Sequence, residues 1–260
     1  MTQPNENRQS LIDPSLDPGG PELGEEFLAL GGEHNQRVAE RQRGEEAAEL
    51  AARAGRQPLR ERPRIGVLAI QGDYAAHAVA LSEAGAEPRE IRNPEELPAL
   101  DALILPGGES TTMLKFLEKR NFFDALREFC AQKPVFGTCA GTILLAREVR
   151  NPAQRSLGLL DAVVERNAYG RQIDSSIEIA DTSLPGGPLE MVFIRAPRII
   201  ETGPDVQVLA LRAGHPTLVR QGRTMAATFH PELSSDRRVH RLFVELASGL
   251  DPRQRGLPAR

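Results

Sequence analysis

The chain has 260 residues, of which 40% are hydrophobic and 26% charged, proportions ordinary for a globular protein able to bury a substantial core. A formal net charge of −4 gives no electrostatic ground for a nucleic-acid or acidic-membrane partner, no apolar run approaches the roughly 18 residues of a membrane span, and the polar N-terminus lacks the apolar stretch of a secretory leader. Two cysteines, Cys130 and Cys139, are too few for a disulfide framework and suit a reducing cytoplasm.

Residues 1–62 hold 8 Arg against 12 Asp and Glu, whereas the remainder balances 24 of each sign. Residues 1–35, rich in Pro, Gly, Asn and Glu, bury too little apolar surface to offset their ordering entropy and read as disordered. Residues 36–55 are good helix formers with alternating charges and a mostly Ala face interrupted by Gly44, which predicts a marginal, solvated helix. A linker from Arg56 to Arg62, containing Pro58 and followed by Pro63, closes this extension. The expected organisation is a disordered or partly helical extension over 1–62, a domain over 63–250 and a loose tail over 251–260.

From Arg64 the pattern changes. Ile65 to Ile70 is a continuous apolar run suited to a strand covered on both faces, Gln71-Gly72-Asp73 its turn, and Tyr74 to Ala84 a helix closed by Gly85. A short strand over Glu87–Arg92 is followed at Asn93-Pro94 by a loop or short helix. Ala102–Leu105 is the third strand; it enters Pro106-Gly107-Gly108-Glu109-Ser110 and then a helical stretch from Thr111 to about Gln132. A fourth strand through Val135 and Phe136 ends at Cys139, and a helix runs from Thr142 to about Glu148. Strands over 159–166, 189–195, 206–211, 217–220 and 225–230 suggest a mainly antiparallel continuation of the sheet. A last helix starts at Ser234 as N-cap and carries Val239, Leu242, Phe243 and Leu246 on its apolar face. Alternating strands and helices predict an α/β fold with a mostly parallel central sheet and helices on both sides. Ligands in such sheets bind beyond the carboxyl ends of the strands, where the Gln71, Gly107–Ser110 and Cys139 turns lie.

Gly137-Thr138-Cys139-Ala140-Gly141 places a thiol on a tight turn between strand and helix, a nucleophile elbow in G-x-C-x-G form. So sharp a turn strains the backbone at Cys139, and a Cβ at Gly137 or Gly141 would meet the neighbouring strand or helix. The following helix N-terminus favours a thiolate. A thiol nucleophile needs a base, and the base an orienting group. Of five histidines, His34 lies in the extension, His215 in a turn, His240 on the last helix with an expected exposed side chain, and His77 in the first helix with no carboxylate evident beside it. His230 ends the strand Thr224–Phe229, and Glu232, two residues on, can face the same way. Taken alone, a strand-end His with a nearby Glu is more often structural. The Gly107–Ser110 segment reads as a plain turn, a phosphate cradle or a source of oxyanion donors. It lacks the Lys-Ser/Thr of a P-loop, and bare glycine amides suit the third reading, with Gly108 N–H and Ala140 N–H as the donor pair.

Leu105 to Met113, Phe136 to Gly141, Val164-Glu165-Arg166-Asn167, Phe193 to Pro197 and Phe229-His230-Pro231-Glu232, in this order and with Ile70-Gln71-Gly72 near the start, resemble the class I glutamine amidotransferases with their flavodoxin-like fold. Within that class they are similar to the PdxT/SNO family, the glutaminase subunit of pyridoxal 5′-phosphate synthase. The resemblance covers about residues 64–249. It implies Cys139 as nucleophile, His230 as base and Glu232 as its orienting partner, with Gly107, Gly108, Glu109, Ser110, Arg166, Ile194 and Arg195 lining a site for L-glutamine. It further implies no resident cofactor or metal and, as partner, a synthase subunit that receives ammonia. Amidotransferase service to another synthase, or a non-catalytic regulatory module, are the competing readings. Two departures stand out: Ala76-His77 where many members have Glu-His, and residues 1–62, which have no counterpart in the compact family.

Overall fold

The computed structural model describes residues 62–167 and 175–250, apart from the side chain of Arg120. All of these belong to one unit of the chain, Glu61–Arg260. The sequence reading of the extension, Arg62 excepted, and that of the tail fall outside the described residues.

A seven-stranded sheet forms the centre. It contains β1 (Arg64–Leu68), β2 (Glu87–Ile91), β3 (Ala102–Leu105), β4 (Val135–Thr138), β10 (Gln207–Arg212), β11 (His215–Gln221) and β12 (Thr224–Ala227), in the order β10-β11-β12-β4-β3-β1-β2. The pairs from β12 through β4, β3 and β1 to β2 are parallel, and β10-β11 and β11-β12 are antiparallel. This is the flavodoxin-like strand order with β12 as the fifth parallel strand. Because both faces of the sheet are covered, β3, β4 and β12 are buried at every position, which explains the unbroken apolar run of β3 and the absence of charged residues from β4 and β12.

The period of two sorts these strands into two cores. Leu68, Leu103, Leu105 and Val135 pack with Met113 and Leu117 of α2 (Ser110–Leu117), Phe122 and Leu126 of α3 (Phe122–Gln132) and Leu144 of α4 (Ala140–Leu145). Ile65, Val67, Ile104 and Phe136 face the other way, toward Leu81 of α1 (Tyr74–Glu83) and Val239, Leu242 and Phe243 of α5 (Arg238–Ala247). Phe136 sits at the middle of the second core, 5.6 Å from the Phe243 ring. Truncating it to Ala would cost about 3–5 kcal/mol.

Several elements differ from the sequence reading. The helical stretch after Thr111 is two helices, broken at Asn121, whose φ of 57° no helix accommodates. The elbow helix begins earlier, at Ala140, and stops at Leu145. Ala146–Arg150 is strand β5, which pairs with β6 (Leu160–Glu165) and, through it, β9 (Arg198–Thr202) in a separate three-stranded sheet. A hairpin of β7 (Ser175–Ala180) and β8 (Leu189–Ile194) stands apart as well. Only β10, β11 and β12 continue the central sheet, and β12 joins it parallel rather than antiparallel. Ser234 does not cap the last helix: its hydroxyl accepts from Asp236 N–H in the preceding turn, and Arg237 occupies the N-cap.

The parallel register fixes what meets at the carboxyl edge. Leu105 is level with Gly137, and Ala227 with Thr138. The segments leaving β3, β4 and β12 therefore emerge side by side.

Candidate active site

Cys139 leaves β4 with φ 48° and ψ −104°, a conformation that L-residues rarely adopt. The turn is held by Cys139 N–H donating to Ala227 O at 2.8 Å and by the Thr142 hydroxyl donating to the same carbonyl at 2.7 Å. Glycines make the turn possible. A Cβ on Gly141 would lie 2.0 Å from Leu105 O, and one on Gly137 would lie 2.6 Å from the Gly141 backbone. Neither obstacle can swing away, since both are main chain. Cys139 is thus presented at a strained, glycine-bracketed position, with its sulfur 3.9 Å from Ile194 O.

His230 follows β12 and is anchored by its own N–H donating to Val192 O of β8 at 2.8 Å. Its Nδ1 donates to Glu232 Oε1 at 2.8 Å, which leaves Nε2 as the ring nitrogen available to the neighbouring Cys139 side chain. Burial works against charging this ring, yet the hydrogen bonds to Cys139 and Glu232 outweigh it and raise its pKa to about 10. The site therefore holds an imidazolium between sulfur and carboxylate at neutral pH. Elsewhere, burial alone pushes the Cys130 thiol up to about 12, so it stays protonated and inert. Gly107 lies against the base, and a Cβ there would sit 2.4 Å from His230 Cε1.

A cleft of about 280 Å³ opens over the sulfur, and Gly108, Glu109, Ser110, Arg166, Ile194 and Arg195 all line it beside Cys139 and His230. Gly107 backs the imidazole, Ala140 begins the elbow helix, and Glu232 lies behind His230, so these three do not line the cleft. Glu109 caps α2, accepting from Thr111 N–H at 3.2 Å and Thr112 N–H at 2.7 Å. Partial burial opposes its ionisation, but the hydrogen bonds from Thr111 and Thr112 hold its carboxyl at about 2. It also meets Arg166 Nη2 at 3.3 Å. Arg195, at the end of β8, has φ 43°, a second strained backbone at the cleft.

The model for the SNO glutamine amidotransferase family matches residues 67–248. The chain belongs to that family. The subunit PdxT of pyridoxal 5′-phosphate synthase from Koribacter versatilis is 57% identical over 183 residues, covering 70% of this chain and 95% of the relative. The PdxT subunit of Thermotoga neapolitana is 49% identical over 185 residues, with 70% and 98% covered. A solved glutamine amidotransferase superposes with a TM-score of 0.66 at 47% identity, over 70% of this chain and 98% of its own length.

This amidotransferase fold also brings in residues that sequence reasoning did not assign. Gly72, Asp73, Ile143, Asn167 and Pro197 line the cleft. Behind the site, His77 is fully buried, with Nε2 3.2 Å from Glu232 Oε2, so the expectation of no neighbouring carboxylate is corrected. His240, expected to be exposed, is fully buried against His77. Both sit on the inward stripe of their helices, with Ala80 and Leu81 following His77 and Phe243 and Val244 following His240 at i+3 and i+4. That spacing was the available signal. Asp73, His230 and Glu232 bring ligand atoms within 4.8 Å of one another, the one metal-like cluster among the described residues. A cation there would replace the Nδ1–Glu232 bond that orients the base, so the set is better suited to acid–base work.

Proposed function

We propose that this chain is the glutaminase subunit of a pyridoxal 5′-phosphate synthase, hydrolysing L-glutamine to L-glutamate and ammonia and delivering the ammonia to a synthase subunit. The observation that carries this reading is the Cys139 sulfur on a strained elbow, in one cleft with an imidazole that Glu232 holds at 2.8 Å. The relatives of up to 57% identity that are described as synthase subunits support the biosynthetic setting.

In this mechanism the Cys139 thiolate attacks the γ-amide carbon, and the carbonyl π pair moves onto oxygen. Gly108 and Ala140 N–H groups stabilise that oxyanion. As the oxyanion collapses, the C–N bond breaks and His230 Nε2 gives its proton to the departing ammonia, leaving a γ-glutamyl thioester. Water then attacks the thioester, His230 takes its proton, and a second collapse expels the thiolate and glutamate. Arg166 and Arg195 provide guanidinium groups for the substrate α-carboxylate, and Glu109, ionised well below neutrality, suits its ammonium. Ser110 and Ile194 complete the wall, and Gly107 gives the base room. No step calls for a metal or cofactor.

The amidotransferase domain is assigned to residues 63–250, with 1–62 as an extension and 251–260 as a tail. No helix among the described residues is long and apolar enough to cross a membrane; with its two free cysteines, the chain is assigned to the cytoplasm. The test is ammonia release from glutamine by wild type and Cys139→Ala, each with and without the synthase subunit. Low activity alone, a marked rise with the subunit and none in the variant is the expected pattern. Equal activity in both states, or activity surviving in Cys139→Ala, would overturn the reading.

A further inference from the structure

Behind Glu232 lies a polar chain that the mechanism leaves unused. Glu232 has a side chain with no exposure, and only one of its oxygens, Oε1, is committed to His230. The other, Oε2, has no aligned hydrogen bond but is approached to 3.2 Å by His77 Nε2. The same nitrogen lies 3.1 Å from the hydroxyl of Thr138, the residue before the nucleophile. His77 Nδ1 lies 3.1 Å from His240 Nε2 on α5, and His240 Nδ1 has no partner at all.

Proton counting along this chain leaves two arrangements, and the environment chooses between them. Both rings are neutral: burial, with His240 and His230 nearby, holds His77 well below its ordinary value, and burial, with Arg237 nearby, holds His240 at about 3. Each therefore carries one N–H. A bare Nε2 on His77 would set a lone pair 3.2 Å from a carboxylate oxygen, so the proton sits there, bonded to the Thr138 hydroxyl and close to Oε2, and Nδ1 is the acceptor. His240 Nε2 must then donate to it, which leaves His240 Nδ1 bare. That atom has no hydrogen-bond partner, and a buried lone pair without a donor is tolerated better than an orphaned N–H. The orphan is thus the end of the chain rather than a packing fault.

We infer that His77 and His240 are positioning residues for glutamine hydrolysis, a second tier that sets a neutral N–H 3.2 Å from the Glu232 carboxylate and, through its bond to Thr138, ties that contact to the nucleophile's strand. A neutral donor steadies Oε2 without placing a second positive charge opposite His230. With His230 on one oxygen and His77 against the other, the carboxylate plane is restrained from turning away from Nδ1. Three separate pieces, α1, α5 and the turn after β12, are locked in one register by this contact.

The inference rests on the glutaminase reading, and its test separates the two. Steady-state hydrolysis is measured in complex with the synthase subunit for wild type, His77→Leu, which fills the space without a donor, and His77→Gln, which keeps one. By analogy with partners that orient metal-bound histidines, His77→Leu is expected to lower kcat by about 10- to 100-fold. KM should move little, and His77→Gln should recover most of the rate. Nitrogen-15 shifts of histidine-labelled wild-type protein then read the tautomers directly and need no activity. Bare Nδ1 atoms on both His77 and His240 are expected. Unchanged kcat in a folded His77→Leu with only its melting temperature lowered, or a protonated Nδ1 on either ring, would overturn the inference. Should the Leu variant fail to fold, the Gln variant and the wild-type shifts decide. Should wild type release no ammonia from glutamine, the functional reading fails, while the shifts still judge the relay.

Discussion

Replacing Gly107 by Ala puts one methyl group where the imidazole now sits. The added Cβ would lie 2.4 Å from His230 Cε1, 3.2 Å from Nδ1 and 3.4 Å from Cys139 Cβ. Carbon atoms pack best at about 3.5 Å or more, so restoring an ordinary contact moves the ring by about 1 Å. Glu232 blocks a free retreat, since its buried carboxylate is bonded to Nδ1 at 2.8 Å. A reacting group misplaced by about 1 Å costs roughly 100-fold in rate, or about 2.7 kcal/mol of barrier. The loss is expected in kcat, because Gly107 does not line the substrate cleft. The assay is glutamine hydrolysis in complex with the synthase subunit, paired with thermal unfolding to show that the variant is folded. A contrasting variant, Gly85→Ala, has φ +96° and nothing within 4 Å of the new Cβ, so it should lose about 1–2 kcal/mol of stability through backbone strain and no activity. A Gly107→Ala enzyme with a kcat within about threefold of wild type would refute the placement of His230 as the working base.

Protonation gives a second test. The His230 pKa is raised from 6.5 to about 10, so the stability it contributes is complete below 6.5 and is lost as pH rises through about 10. The melting-temperature gap between wild type and His230→Asn should close across that window, and a gap independent of pH would contradict the paired imidazolium. Glu109→Ala removes a helix cap at a cost of about 1 kcal/mol, and by freeing Arg166 of its partner at 3.3 Å it should raise KM more than it lowers kcat. Because the Glu109 carboxyl is lowered from 4.5 to about 2, the wild-type margin over this variant should persist above pH 4.5 and vanish as pH falls through about 2. The chain shortened to residues 62–250 should keep its partner-stimulated glutaminase rate, and a marked loss would break the assignment of 1–62 as an extension.

The parts of the fold that sequence reading reached are those whose signal is local. Ile65–Leu68 and Ala102–Leu105 announce buried parallel strands by unbroken apolar runs, Val135-Phe136 begins a third, and the glycines around Cys139 announce the turn that follows it. What it missed depends on distant partners. Ala146–Arg150 contains good helix formers and no punctuating residue after Leu145, so only its pairing with Leu160–Glu165 makes it a strand. Glu178 and Ile179 of β7 carry no stronger signal than a loop until Leu189–Ile194 lies beside them. At the site, His230 and Glu232 are two residues apart and their pairing could be anticipated, whereas His77 and Glu232 are joined only once α1 packs beside the turn after β12.

The dihedral angles at Cys139 carry one last consequence. Its φ of 48° with ψ of −104° suits glycine far better than any residue with a side chain. A protein with glycine at 139 would hydrolyse nothing, yet it should melt at a higher temperature than the active one. Selection for robustness alone would erase the sulfur. Its presence there means that working molecules of this kind live below the thermal ceiling their own architecture permits.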